Sequence, residues 1–154
     1  MTLEQTSRLV YRFEDHTLPK EQWTHTAHCI VALWYCVYFP LPEAVEKIRI
    51  GIRAYNVSIG GINTDTAGYH ETITLFYMAT ISHYLITNNI TELSDEVVGL
   101  FLQQPFLARE YIHQFYPTDR LMSEEARRTW TPPDAGQTRT FPYQKRTVTD
   151  SRHT

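Results

Sequence analysis

The chain has 154 residues, of which 42% are hydrophobic and 20% charged, a composition typical of one globular domain. Its formal net charge of −3 argues against a strongly basic nucleic-acid-binding protein. The longest uninterrupted apolar run, residues 29–39, is too short to span a bilayer, and the first residues lack the pattern of a secretory signal. We therefore expect a cytoplasmic protein that has neither a membrane nor a nucleic acid as its partner.

Apolar residues that recur every three or four positions predict helices along most of the chain. The first seventeen residues are more polar and predict an arm or a short helix. Gly60 and Gly61 end one helix, and Thr66 is a candidate N-cap of the next. The helices are predicted over approximately residues 20–39, 42–59, 69–87, 92–103, 105–117 and 123–130.

These elements predict an all-α fold, a single-domain bundle of about five or six helices. The helix over 20–39 is apolar on every side, which predicts that it lies buried at the centre. We assign residues 1–130 to the helical domain and 131–154 to an irregular, basic C-terminal tail. From residue 127 onward the chain has six Lys or Arg against two acidic residues. The tail is expected to lie on the acidic body, or to dock on a neighbouring copy in a homo-oligomer.

Three of the seven histidines fall in two short polar stretches that precede apolar segments. His25 and His28 are three residues apart, which places both imidazoles on one face of the predicted central helix. His70 and Glu71 begin a later helix directly after a Gly-containing loop. Because the helix between them returns the chain to the same end of the bundle, we expect His70 to lie beside His25 and His28.

A convergence of three histidines would suit a divalent transition metal. Three histidines with an open coordination position hold catalytic zinc, and two histidines with a carboxylate suit non-haem iron. We therefore predict that His25, His28 and His70 bind zinc or iron. Glu71 is the candidate catalytic residue, as a general base or as a group that orients a histidine ligand. The same residues equally fit a metal-free polar network that fixes two helices together.

Aromatic residues on the predicted helices are expected mostly in the core, although some could line a small-molecule pocket between helices. The candidates for such a pocket are Tyr35, Tyr69 and Tyr77, of which the last two flank the second histidine stretch. His83 and His113 have apolar neighbours on their helix faces, which predicts partly buried histidines with hydrogen-bond partners rather than ligands.

Several stretches together resemble an uncharacterised family of small all-helical bacterial proteins. The resemblance spans about residues 13–134 and implies a self-contained helical domain in which the histidine stretches are landmarks. It implies no reaction, and the tail past residue 135 departs from the family pattern. The landmarks are Trp-x-His-x-Ala-His at 23–28, Ala-Leu-Trp-Tyr at 32–35, Tyr-His-Glu-Thr at 69–72, the segment 120–127 and Pro-Asp at 133–134.

Two functions follow as hypotheses. The first is a small-molecule enzyme or binding protein with a histidine-based metal site between helices, in which the metal activates water, dioxygen or a substrate oxygen. The alternative is a metal-free module that binds a ligand or a partner protein, in which the histidine and glutamate residues form a structural network. The sequence does not distinguish hydrolytic from oxidative chemistry.

Overall fold

The computed structural model describes residues 1–134, and all of the regular secondary structure in this range is helical. This confirms the all-α bundle. Short 3-10 turns occur at Lys20–Gln22, Pro105–Leu107 and Tyr111–Gln114. The α-helices are α1 (Leu3–Glu14), α2 (His25–Tyr38), α3 (Leu41–Ser58), α4 (Glu71–Thr87), α5 (Asp95–Phe101), α6 (Thr118–Leu121) and α7 (Glu124–Arg128).

Helix α2 occupies the centre of the bundle, as its all-round apolar sequence predicts. It contacts α1, α3 and α4, and the side chains of Ile30, Val31 and Leu33 are fully buried. A helix that is covered on several sides buries most of its surface, which disfavours a polar face. The polar residues of α2 are accordingly concentrated at its first turn. This arrangement leaves His25 and His28 at one end of the core.

Helix α3 has one apolar stripe and one polar face, in agreement with its periodicity. Ile48, Ile52 and Tyr55 are buried on the stripe, and the Tyr55 hydroxyl donates a 2.8 Å hydrogen bond to the Leu18 carbonyl. Because this stripe faces α2 and α4, it supplies apolar side chains to the space between the three helices.

Of the two alternatives for the N-terminal residues, an arm or a short helix, the structure has the helix, whereas the segment 105–117 differs from expectation. The N-terminal residues form a full helix, α1, whose capping box pairs Thr2 with Gln5 and whose Phe13 packs into the core. The segment 105–117 forms two 3-10 turns instead of one helix. The tighter turns allow Phe106, Tyr111 and Phe115 all to be buried in one aromatic cluster with α4.

The segment that follows packs across the start of α4. The Thr72 hydroxyl donates to the Thr129 carbonyl and accepts from the Thr131 amide, and the Tyr116 hydroxyl donates to the Thr131 carbonyl. The two Thr72 bonds join residues more than fifty positions apart, and together with the Tyr116 bond they fix the chain around α6 and α7 over the α4 N-terminus. The part of the predicted basic tail that follows position 134 lies outside the described residues.

Among residues 1–134, no helix is long and apolar enough to cross a membrane.

Candidate functional site in a cavity between three helices

A cavity of about 630 Å³ opens between α2, α3 and α4 and is bordered on one side by residues 109–122. This volume is within the usual range of small-molecule pockets. Most of the lining side chains are apolar, with a few polar groups among them. The lining residues are Trp23, Thr24, His25, His28, Cys29, Ala32, Ile48, Ile52, Ile73, Thr74, Tyr77, Arg109, Ile112, His113, Leu121 and Met122.

The first turn of α2 places two histidines in this cavity. Thr24 is the N-cap of α2, and its hydroxyl accepts a hydrogen bond from the Ala27 amide. With the cap supplied by threonine, the side chains of His25 and His28 are not needed to complete the helix. Both line the cavity, as their spacing of three residues predicts.

His28 is held as a neutral imidazole with one nitrogen unused. Its Nδ1 is 2.8 Å from the Thr24 carbonyl, which assigns the proton to Nδ1, and its ring packs at a centroid distance of 3.7 Å from Trp23. Burial lowers the pKa of His28 to about 4, more than the Thr24 hydrogen bond raises it, and His25 lowers it further. At neutral pH the Nε2 of His28 is therefore a hydrogen-bond acceptor or a proton acceptor.

His25 contacts Tyr77 and a backbone carbonyl. The His25 Nε2 is 3.2 Å from the Phe106 carbonyl, and its ring meets the Tyr77 ring edge-on at 4.9 Å. Tyr77 is only 7% exposed, and its hydroxyl proton has no acceptor among the described residues, although the Ile112 amide approaches the oxygen and acts to lower the pKa. Burial raises the pKa of Tyr77, so the phenol stays protonated at neutral pH.

Cys29 lines the same wall but is not an activated nucleophile. Its Sγ lies 3.6 Å from the His25 Nε2, a contact that could be mistaken for a catalytic pair. That nitrogen also faces the Phe106 carbonyl, to which it donates its proton, so it cannot act as a base toward the thiol. Burial raises the pKa of Cys29 to about 12, which keeps the sulfur protonated at neutral pH.

Arg109 and His113 bring polar groups to the rim of the cavity. Both are exposed residues in the stretch that was predicted as a single helix. The expectation that His113 is partly buried is wrong, because the break into two 3-10 turns presents it to solvent. No sequence pattern assigns a role to Arg109, because its orientation depends on the turn between those two elements, which periodicity does not indicate.

His70 has a structural role at the start of α4. It is the N-cap residue, and its Nδ1 accepts a hydrogen bond from the Ile73 amide at 3.1 Å. Its Nε2 donates to the Leu121 carbonyl at 2.7 Å. The prediction that Thr66 caps this helix is therefore wrong. Both ring nitrogens of His70 are used by the backbone, so neither is left for a metal ion.

Glu71 is engaged in an ion pair away from the cavity. Its Oε1 accepts from Arg49 Nε at 3.0 Å and from the Tyr69 hydroxyl at 2.6 Å. Desolvation of the guanidinium acts to lower the pKa of Arg49, but the hydrogen bond and charge of Glu71 outweigh it and raise that pKa. Glu71 therefore joins α3 to α4 and does not reach His25 or His28 as a base.

The predicted set of His25, His28 and His70 does not fit one shared metal ion. In the described part of the chain, no three His, Cys, Asp or Glu side chains are grouped so that they could hold a metal. The physical reason is the commitment of His70 to capping and to the Leu121 carbonyl. Of the predicted pocket tyrosines, Tyr77 lines the cavity, whereas Tyr69 bonds to Glu71 and Tyr35 donates to Glu14 at 3.2 Å.

Comparison with models of protein families, with curated proteins and with solved structures gives no match to this chain. The family resemblance of the histidine stretches stays a prediction.

Proposed function

We propose that this protein binds a small organic molecule in the cavity between α2, α3 and α4. The observation that carries the proposal is the cavity of about 630 Å³ with its mostly apolar lining, in whose wall the Tyr77 hydroxyl is buried with no acceptor for its proton among the described residues. A buried hydroxyl that lacks a hydrogen bond costs free energy, and a ligand or an ordered water that accepts its proton removes that cost.

The neighbouring groups indicate what the ligand would contact. Neutral His28 offers a bare Nε2 as acceptor, and Tyr77 offers an O–H as donor. Isoleucine side chains from α3 and α4 would cover an apolar body. The metal-free form of the hypothesis is favoured because the nitrogens of His70 are committed to the backbone.

A fragment screen by ¹H–¹⁵N NMR on the full chain tests this proposal. We expect binders to shift the amide signals of Thr24, Cys29 and Ile112 together. The variant Ile73→Phe narrows the cavity from α4 and should abolish these shifts. Its matched control is Ile86→Phe, the same substitution on the same helix at a position that is 74% exposed, and it should leave binding unchanged.

Two outcomes would count against the proposal. Fragments that never shift cavity amides would show that the space does not admit ligands. Equal binding by Ile73→Phe and Ile86→Phe would place the ligand elsewhere. Elemental analysis of the purified full-length protein addresses the metal form separately: stoichiometric zinc or iron that is lost in a His25→Ala, His28→Ala double variant would favour that form instead.

A further inference from the structure

The rim of the cavity has one positive charge and the lining has no negative one. Arg109 lines the cavity, and no Asp or Glu is among the lining residues of this part of the chain. The neighbouring Glu110 is exposed and does not line the cavity. The lining residues therefore have one positive charge and no negative charge, while the charge of Glu110 acts on Tyr77 from outside the lining.

Arg109 also differs from several other arginines of the described chain. No hydrogen bond or ion pair with another residue in the described range 1–134 holds its guanidinium. Four other arginines of the described range have such partners: Arg49 pairs with Glu46 and Glu71, Arg120 with Asp134, Arg127 with the Gly68 carbonyl and Arg128 with Asp65. An arginine that the fold leaves unpaired at the mouth of an apolar cavity is available for an anion.

The interior of the cavity cannot neutralise an anion itself. His28 is held neutral by desolvation, and Tyr77 and Thr74 are neutral hydroxyl groups. These groups can accept or donate hydrogen bonds, but they carry no compensating charge. A negatively charged ligand group would therefore be placed at the rim, while the apolar part of the ligand occupies the space lined by Ile48, Ile52 and Ile73.

We propose that the ligand is a small organic monocarboxylate with an apolar ring or chain, whose carboxylate is bound by Arg109. The proposal rests on the proposed function and specifies its ligand class. A planar guanidinium matches a carboxylate through two parallel hydrogen bonds. A phosphate dianion would call for more donors than this one arginine and the exposed His113 provide.

Matched pairs of probes test the charge requirement at pH 7.5 and low salt. The probes are 2-naphthoate against 2-naphthamide, and 4-phenylbutyrate against 4-phenylbutyramide. Each pair differs in charge and hardly in shape. We expect each carboxylate to bind about fivefold to tenfold more tightly than its amide in NMR titrations of the cavity amides.

The variant Arg109→Gln should remove this preference, because it removes the charge at an exposed position that has no structural partner among residues 1–134. The control is Arg8→Gln, which removes an exposed arginine of α1, paired with Glu4, that does not line the cavity. It should retain the full preference. Loss of the preference in both variants would indicate a general effect of net charge and overturn the assignment.

The two proposals fail in different ways. If amides bind as well as carboxylates, or if Arg109→Gln keeps the preference, the monocarboxylate inference is wrong while the ligand cavity stands. If neither member of either pair shifts the cavity amides, the inference is wrong, and the fragment screen with Ile73→Phe decides independently whether the cavity binds ligands at all.

Discussion

Helices α2 and α4 both have histidine at their N-termini, but the histidines have different roles in the two helices. Each helix begins at a histidine or directly after one. In α2 the cap is Thr24, so the side chains of His25 and His28 turn to the cavity. In α4 the cap is His70 itself, and its ring is fixed between the Ile73 amide and the Leu121 carbonyl. The comparison shows that the identity of the capping residue determines whether a nearby histidine is available for a ligand.

The first turns of α4 and α2 also differ in their acidic residues. A glutamate in a first helical turn interacts favourably with the helix dipole, and Glu71 also pairs with Arg49 across the interface with α3. The start of α2 has no acidic residue in its first turn. The start of α4 therefore joins α4 to α3, whereas the start of α2 contributes polar side chains to the lining of the cavity.

The largest effect is expected from His70→Ala. Because this change removes the N-cap acceptor and leaves the Leu121 carbonyl without its donor in a buried site, we expect a loss of about 2 to 4 kcal/mol in the free energy of unfolding. Urea denaturation measures it. His70→Asn keeps a capping acceptor and should lose about half as much. An unchanged midpoint in His70→Ala would contradict the structural role.

A smaller loss is expected from Glu71→Gln. The ion pair with Arg49 is mostly shielded from solvent, with side-chain exposures of 14% for Glu71 and 28% for Arg49. Removing the negative charge should cost about 1 to 2 kcal/mol of unfolding free energy. The matched control is Glu46→Gln, which removes the other, more exposed partner of the same arginine and should cost less than about 0.5 kcal/mol. Equal losses in the two variants would show that the pair of Glu71 with Arg49 contributes no more to the free energy of unfolding than the pair of Glu46 with Arg49.

The smallest effect concerns the pH dependence contributed by His28. Its pKa lies near 4 in the folded chain, below the value near 6.5 in the unfolded chain, so the unfolded state takes up the proton first. The contribution of neutral His28 to stability is present above pH 6.5 and is lost as the pH falls toward 4. Relative to His28→Gln, the parent protein should lose about 1 kcal/mol between pH 7 and pH 5, after allowance for partial exposure.

His70 does not confound this measurement, although burial also lowers its pKa. It is present in both proteins and cancels in the difference. NMR of the imidazole nitrogens gives a direct check, with a midpoint near pH 4 for His28. A His28 midpoint near 6.5 would show that the ring is not held in the desolvated stack on Trp23.

Most of the fold could be predicted from the sequence because the signals that define it are local. The stripe of α3 and the all-round apolar character of α2 arise from residues within a few turns of one another, and both are confirmed. The segment 105–117 was predicted as one helix because its apolar spacing suits one. The two 3-10 turns form there, and with them the aromatic cluster on Phe76, a contact that local periodicity does not encode.

The candidate site was predicted only in part, for the same physical reason. The spacing of His25 and His28 by three residues determines by itself that they share one face, since both belong to one rigid helix. The sequence did not determine the fate of His70, because its partner Leu121 is fifty-one positions away. Histidine is also not among the preferred capping residues that sequence analysis recognises. The tertiary structure alone decided that His70 and Glu71 join elements, that the Tyr77 hydroxyl is buried with no acceptor for its proton among residues 1–134 and that Arg109 lines the cavity. Each of these outcomes depends on contacts between distant segments, and sequence spacing fixes geometry only within a single helix.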